Sequence, residues 1–275
     1  MKNLFLLLIP ILLISVSCNT KEQKKTVEKK TVKKKIIYNQ DHLLAAALWH
    51  QTSAEAKALF MQNYKLAGLM LNKNIAESES SKPKAIITDL DETVIDNSPF
   101  TARMIIETFD YSPKRWHEWV KEAKAEALPG AKAFLSKADK LGVKIFYVSN
   151  RADSSKNYTI KNLEKLELPQ ISEESVVLKT TTSNKTERRE NILKNYDVIL
   201  YLGDNLTDFS EDFADRGADY GEGITKENMT NFGSKFIVFA NPLYGEWEKA
   251  ILKNTFSHSP KEKDQLMKDA LITKK

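Results

Sequence analysis

Five short runs of apolar, mostly β-branched or aromatic residues recur along the chain, at Ala85 to Thr88, Val143 to Val148, Val176 to Leu178, Val198 to Leu202 and Phe236 to Phe239. Runs that are continuously apolar read as parallel strands covered on both faces. The stretches between them read as helices over Ser112 to Ala127, Ala131 to Leu141 (introduced by Pro129-Gly130), Ser154 to Leu166 and Lys185 to Asn195. This alternation predicts an α/β fold, a doubly wound, Rossmann-like parallel sheet. Ahead of it, Leu44, Ala47, Leu48, Leu59, Tyr64, Leu66 and Leu69 recur at helical spacing, predicting one or two amphipathic helices, the second starting near Ser53-Ala54-Glu55. These helices (about 41–80) and the segment after the first strand (about 97–128) are expected to form a smaller helical subdomain.

The first residues follow another pattern. Lys2 precedes an apolar run from Leu4 to Val16, then small residues, then Cys18. A bilayer span needs about 20 apolar residues, so this run fits the core of a secretory signal better than a membrane helix. Ser15-Val16-Ser17-Cys18 resembles a bacterial lipoprotein cleavage site, with Ser15 where Leu is usual. The expectation is a signal peptide over 1–18 and lipidation of Cys18. As Cys18 is the single cysteine of the chain, no internal disulfide can form. Thr20 to Lys35 carries eight Lys and two Glu with little apolar content, and is read as part of a disordered tether over 19–40. That segment's +6, with Lys2 removed, leaves about −2 of the formal +5 for the rest, so basicity belongs to the tail and no nucleic-acid partner is expected.

In an open α/β sheet, ligands sit beyond the carboxyl ends of the strands. Polar clusters stand at those positions here: Asp89-Leu90-Asp91 after the first run, Ser149-Asn150-Arg151 after the second, Gly203-Asp204-Asn205 with Asp208 after the fourth. The segment after the third leads to Lys185. Asp89 and Asp91 form a carboxylate pair that repels itself unless a cation or shared proton intervenes. With Asp204 and Asp208 they make a hard-oxygen set suited to Mg²⁺ rather than Zn²⁺. Asp89 would attack phosphorus to give an aspartyl phosphate, and Asp91 would protonate the leaving alkoxide and then deprotonate water. Ser149 and Asn150 would hold phosphate oxygens, and Lys185 would pair with the phosphate and the nucleophile. Mg²⁺ would be bound by Asp89, the Asp91 backbone carbonyl and Asp204, with Asp208 in support. Thr93 is expected to orient the acid/base and Glu92 to be exposed or bridging. Phe100 and Tyr244 are candidate aromatic walls for a substrate base.

Asp-Leu-Asp-Glu-Thr (89–93), Ser-Asn-Arg (149–151), Lys185 and Gly-Asp-Asn-Leu-Thr-Asp-Phe (203–209) match in order the four motifs of the haloacid-dehalogenase-like superfamily. Within it the chain resembles the class C acid phosphatases, bacterial outer-membrane lipoproteins that include 5′-nucleotidases. The likeness extends to Gln51-Thr52-Ser53-Ala54-Glu55, Asp96-Asn97-Ser98-Pro99, Trp116, Trp119, Asn241-Pro242, Tyr244-Gly245 and Trp247, and covers most of 41–275. It implies a phosphomonoesterase for nucleotides or other small esters, attached to the outer membrane by a lipid, and a possible homodimer. Lys179 and Lys194 also lie near the place of the motif lysine; Asn184 and Arg188 around Lys185 favour the latter. A phosphatase for sugar phosphates and a non-catalytic surface-binding lipoprotein are the competing readings.

Overall fold

The computed structural model describes residues 40–273, so the expected signal segment, Cys18 and positions 19–39 of the expected tether lie outside the described residues. Gln40, assigned above to the tether, belongs to the fold: it is buried and its amide donates to Asp110 Oδ1 at 2.5 Å.

The strands, in chain order, are β1 (Lys84–Thr88), β2 (Ile95–Asp96), β3 (Glu126–Ala127), β4 (Lys144–Ala152), β5 (Val176–Lys179), β6 (Asp197–Gly203) and β7 (Phe236–Val238). The helices are α1 (Leu44–Thr52), α2 (Ala54–Glu77), α3 (Ser98–Ile106), α4 (Pro113–Glu122), α5 (Ala131–Lys140), α6 (Lys156–Lys165), α7 (Thr186–Asn195), α8 (Glu222–Glu227), α9 (Glu246–Ile251) and α10 (Pro260–Asp269). Among the described residues none is long and apolar enough to cross a membrane.

Five strands build one parallel sheet in the order β5-β4-β1-β6-β7, and β2 pairs antiparallel with β3 beside it. Alternation along β1 divides the core. Ile86 joins Ile145, Leu200, Phe60, Tyr64, Leu71 and Phe134 on the face covered by α2 and α5. Ala85 and Ile87 join Phe146, Val148, Ile192, Phe209 and Phe213 on the face covered by α7 and the segment after β6. Every strand in the middle of the sheet is therefore apolar on both sides, which is why it reads as an unbroken run.

The expected subdomain boundary does not hold. Phe100, Trp119 and Val120 of α3 and α4 share one buried cluster with α2 and the sheet. Asn63 and Asn74 of α2 donate to the carbonyls of Val238 and Ile199, both at 2.8 Å, fixing α2 along the β6–β7 side of the sheet. A stripe of Phe60, Tyr64, Ala67 and Leu71 finds its partner surface in the sheet layer, so α2 is a wall of the main core.

Candidate active site

β1 lies between β4 and β6, so the polar residues that follow these three strands meet at one edge. Asp89 continues β1, its N–H donating to Leu202 O at 2.9 Å. One oxygen each of Asp89, Asp204 and Asp208 lies within 4.8 Å of the others. Lys185, which immediately precedes α7, enters from the loop after β5 and spends its three donors on Asp89 Oδ1 (2.5 Å), Asp208 Oδ1 (2.6 Å) and Val148 O (2.7 Å). Lys179 instead approaches Ser183 Oγ at 3.5 Å and Lys194 reaches Asn191, so neither stands at this cluster.

Charge in the cluster does not balance. With all three carboxylates ionised they face one ammonium, a formal deficit of two positive charges among largely buried groups. Burial pushes the Asp89 carboxyl well up, partly opposed by Lys185 and reinforced by Asp208, Asp204 and Asp91. Burial, then Asp208, lifts Asp204 to about 8. Burial pulls Lys185 down, yet Asp208 and Asp89 outweigh it and hold the ammonium above its usual range. The deficit of two charges and the all-oxygen donor set fit a divalent hard cation such as Mg²⁺. Asp89, Asp204 and Asp208 would hold it.

Asp208 is brought in by a tight turn. Asn205 N–H donates to Asp208 Oδ2 at 3.0 Å, and Arg189 holds the carbonyl of Thr207 at 2.7 Å. A Cβ on Gly203 would meet Asp208 Oδ2 at 2.4 Å, so only glycine lets the turn close. Asp204 is oriented by Asn241 Nδ2 (2.8 Å) and Thr93 Oγ1 (3.2 Å).

The Asp91 carboxylate is not part of the cluster. It faces Arg151 and Asn97. Its negative charge is balanced by Arg151, which corrects the expectation of an Asp89–Asp91 pair sharing a cation by their side chains; the third carboxylate is that of Asp208. Thr93, expected to orient the acid/base Asp91, instead donates its hydroxyl to Asp204 Oδ1 at 3.2 Å. Glu92 is fully buried at φ 57°, bridging the Asn97 N–H (2.7 Å) and the Tyr244 hydroxyl, and burial lifts its carboxyl to about 8. The exposed alternative for Glu92 is thus excluded.

Ser149 is buried, with its hydroxyl donating to Asp91 Oδ2 at 3.2 Å, while exposed Asn150 accepts from Arg188 at 2.7 Å. Arg188 also donates to Ser149 O at 2.7 Å and so braces this loop. Tyr244 keeps 37% of its surface exposed, with its hydroxyl on Glu92 next to Asp91. Phe100 is 5% exposed, packed at 5.2 Å from Trp116, and borders a cleft of about 430 Å³ between α3 and α4 that no catalytic carboxylate enters. Its assignment as a substrate wall is therefore replaced by a place in the aromatic core.

Residues 10–247 match the family model described as HAD superfamily, subfamily IIIB (acid phosphatase). The chain belongs to this family. Two solved structures of the class C acid phosphatase from Bacillus anthracis, one a crystal structure with tungstate bound, superpose with a TM-score of 0.81 each, at 39% and 40% identity, covering 86% of this chain and 98% of theirs. Among sequence relatives, a stem 31 kDa glycoprotein of Glycine max is 27% identical over 143 residues, 50% of this chain and 56% of that protein. Acid phosphatase 1 of Solanum lycopersicum is 29% identical over 133 residues, 44% of this chain and 50% of that protein. The chain spans about half the length of these curated relatives. Against this subfamily IIIB background, sequence reasoning had given no role to Arg151, Asn97 or Asn241. Arg151 ends the Ser-Asn-Arg motif, Asn97 lies four residues after the first motif and Asn241 follows β7, but the partner of each is set by the tertiary fold.

Proposed function

We propose that this chain is an Mg²⁺-dependent phosphomonoesterase acting on small phosphate monoesters, 5′-nucleotides among them, through an aspartyl-phosphate intermediate. The observation that carries this reading is the separation of charge: a cluster of Asp89, Asp204, Asp208 and Lys185 short of two positive charges, beside an Asp91 already balanced by Arg151. A tetrahedral anion can be received where a dication and Lys185 stand together, and the tungstate held by the Bacillus anthracis relative supports that expectation. A bound Mg²⁺ would supply charge neutralisation at the phosphate oxygens.

Asp89 Oδ1 is occupied by Lys185, so Oδ2 is the oxygen that forms the new bond to phosphorus as the ester P–O bond breaks. For this step Asp91 must first have taken up a proton from solvent on Oδ2, and it passes that proton to the departing alkoxide, leaving the carboxylate paired with Arg151. In the second half Asp91 takes a proton from water as that water attacks phosphorus, releasing inorganic phosphate and restoring Asp89. Tyr244, partly exposed with its hydroxyl on Glu92 beside Asp91, is suited to contact the leaving group. Attachment to the cell envelope through Cys18 completes the proposal, supported by the leader pattern.

The test is turnover of a panel that includes a nucleoside monophosphate and a sugar phosphate, with and without EDTA, on wild type and Asp89→Asn. Hydrolysis that requires metal and disappears with Asp89→Asn is expected. Metal-independent hydrolysis, or activity surviving the substitution, rejects the mechanism; preference for the sugar phosphate rejects the nucleotide substrate alone.

A further inference from the structure

Arg151 is 2% exposed, a guanidinium with every nitrogen engaged. Nε donates to Asp91 Oδ1 at 2.9 Å, and Nη2 lies 2.8 Å from the same oxygen and donates to Asn97 Oδ1 at 3.1 Å. Nη1 donates to Thr159 Oγ1 at 3.3 Å, and the guanidinium carbon stands 5.7 Å from the Trp116 ring centroid. Asn97, itself fixed by Trp119 Nε1 at 2.8 Å, adds its Nδ2 to Asp91 Oδ1 at 2.8 Å. The two oxygens of Asp91 are therefore unequal. Oδ1 accepts hydrogen bonds from Asn97 Nδ2 and Arg151 Nε at 2.8 and 2.9 Å and has the Nη2 cation at 2.8 Å, whereas Oδ2 accepts only longer ones, 3.2 Å from Ser149 Oγ and 3.3 Å from Arg151 Nε.

We propose that Arg151 is a positioning residue: with Asn97 it pins Asp91 Oδ1, so that Oδ2 alone is presented to carry the proton to and from the substrate. This rests on the reading of Asp91 as general acid and base. An oxygen whose lone pairs are filled by charged and amide donors has no place for a proton, while the loosely held one does. A guanidinium held by Asn97, Thr159 and the Trp116 ring fixes the carboxylate plane, which a lysine ammonium cannot do.

General acid catalysis matters in proportion to how poor the leaving group is. The experiment is kcat/KM, which reports the steps up to departure of the alcohol, for a nucleoside 5′-monophosphate, phenyl phosphate and 2,4-dinitrophenyl phosphate. Wild type is compared with Arg151→Lys and with the milder Thr159→Val. For Arg151→Lys the nucleotide is expected to lose about 100-fold or more, and the dinitrophenyl ester only a few-fold. Thr159→Val should show the same ordering at smaller size, and it decides alone if Arg151→Lys fails to fold. Equal losses across the three esters, or none, overturn the proposal while leaving the phosphatase reading intact. Wild type hydrolysing none of them would instead remove the functional reading beneath it.

Discussion

Lys185 does more at the residue scale than neutralise a nucleophile, since its ammonium joins Asp89, Asp208 and the Val148 carbonyl and so ties the end of β1, strand β4 and the turn after β6 to one point. Replacing it with Met leaves two carboxylates buried without their cation. A cost of about 3 to 5 kcal/mol is expected from breaking such a pair, with activity lost. Chemical unfolding and turnover of Lys185→Met in Mg²⁺ buffer check this; a variant of wild-type stability would show that the pair is not coupled to the fold. The lysine was picked out by its sequence context, Asn184 before it and Arg188 after it, and in the structure Arg188 braces Ser149 and Asn150 at the end of β4. Arg151 was visible only as the third letter of a motif. That it faces Asp91 depends on how β4 lies against β1, which no local pattern encodes.

Among elements, four of the five parallel strands were legible within one residue, because burial on both faces writes an uninterrupted apolar run; β4 continues four residues past Val148 through the polar Ser149-Asn150-Arg151, which the apolar pattern could not show. Helix α4 was read too long: Ala123 turns left-handed at φ 48°, and Glu126–Ala127 is drawn off to pair with Ile95–Asp96. The pairing of β2 with β3 was not foreseen, since two residues a side give no periodicity. Gly203 ends β6, where an added methyl would strike Asp208, so Gly203→Ala should cut metal affinity and activity together while the sheet persists. Mg²⁺ titration and far-UV circular dichroism test this, and unchanged affinity would contradict it.

Helices α3 and α4 are joined by Arg103 and Glu122, with Nη2 to Oε2 at 2.9 Å. The hydrogen-bonding Arg103 draws the Glu122 carboxyl from 4.5 to about 2. A depressed carboxyl contributes stability that is complete above 4.5 and is lost as pH falls towards about 2. Both side chains are about one-third exposed, so solvent screening keeps the contribution below about 1 kcal/mol. The urea midpoint of Glu122→Gln should therefore lie below wild type at pH 7 and converge with it near pH 2. A gap that is unchanged at low pH would exclude this origin.

On the scale of the whole molecule, what the sequence could not reveal was the strand order. Placing β1 between β4 and β6 gathers residues that are more than 100 positions apart, and draws Lys185 inward from the loop after the outermost strand, β5. The same order separates two electrostatic compartments: Asp91 with Arg151, which is neutral, and Asp89, Asp204, Asp208 with Lys185, which is short of two positive charges. Mg²⁺ should consequently raise the melting temperature of the chain by binding the folded form, in proportion to the logarithm of its concentration once saturated. A melting temperature indifferent to Mg²⁺ and EDTA would show that the deficit is met in some other way.

The most direct measurement is calorimetric titration of Mg²⁺ into wild type, Asp91→Asn, Asp204→Asn and Asp208→Asn. One ion per chain is expected in wild type and in Asp91→Asn, with affinity reduced at least about tenfold in each of the other two variants. Loss of binding in Asp91→Asn as severe as in Asp204→Asn, or binding unaltered in all three, would contradict the division of charge on which the account stands.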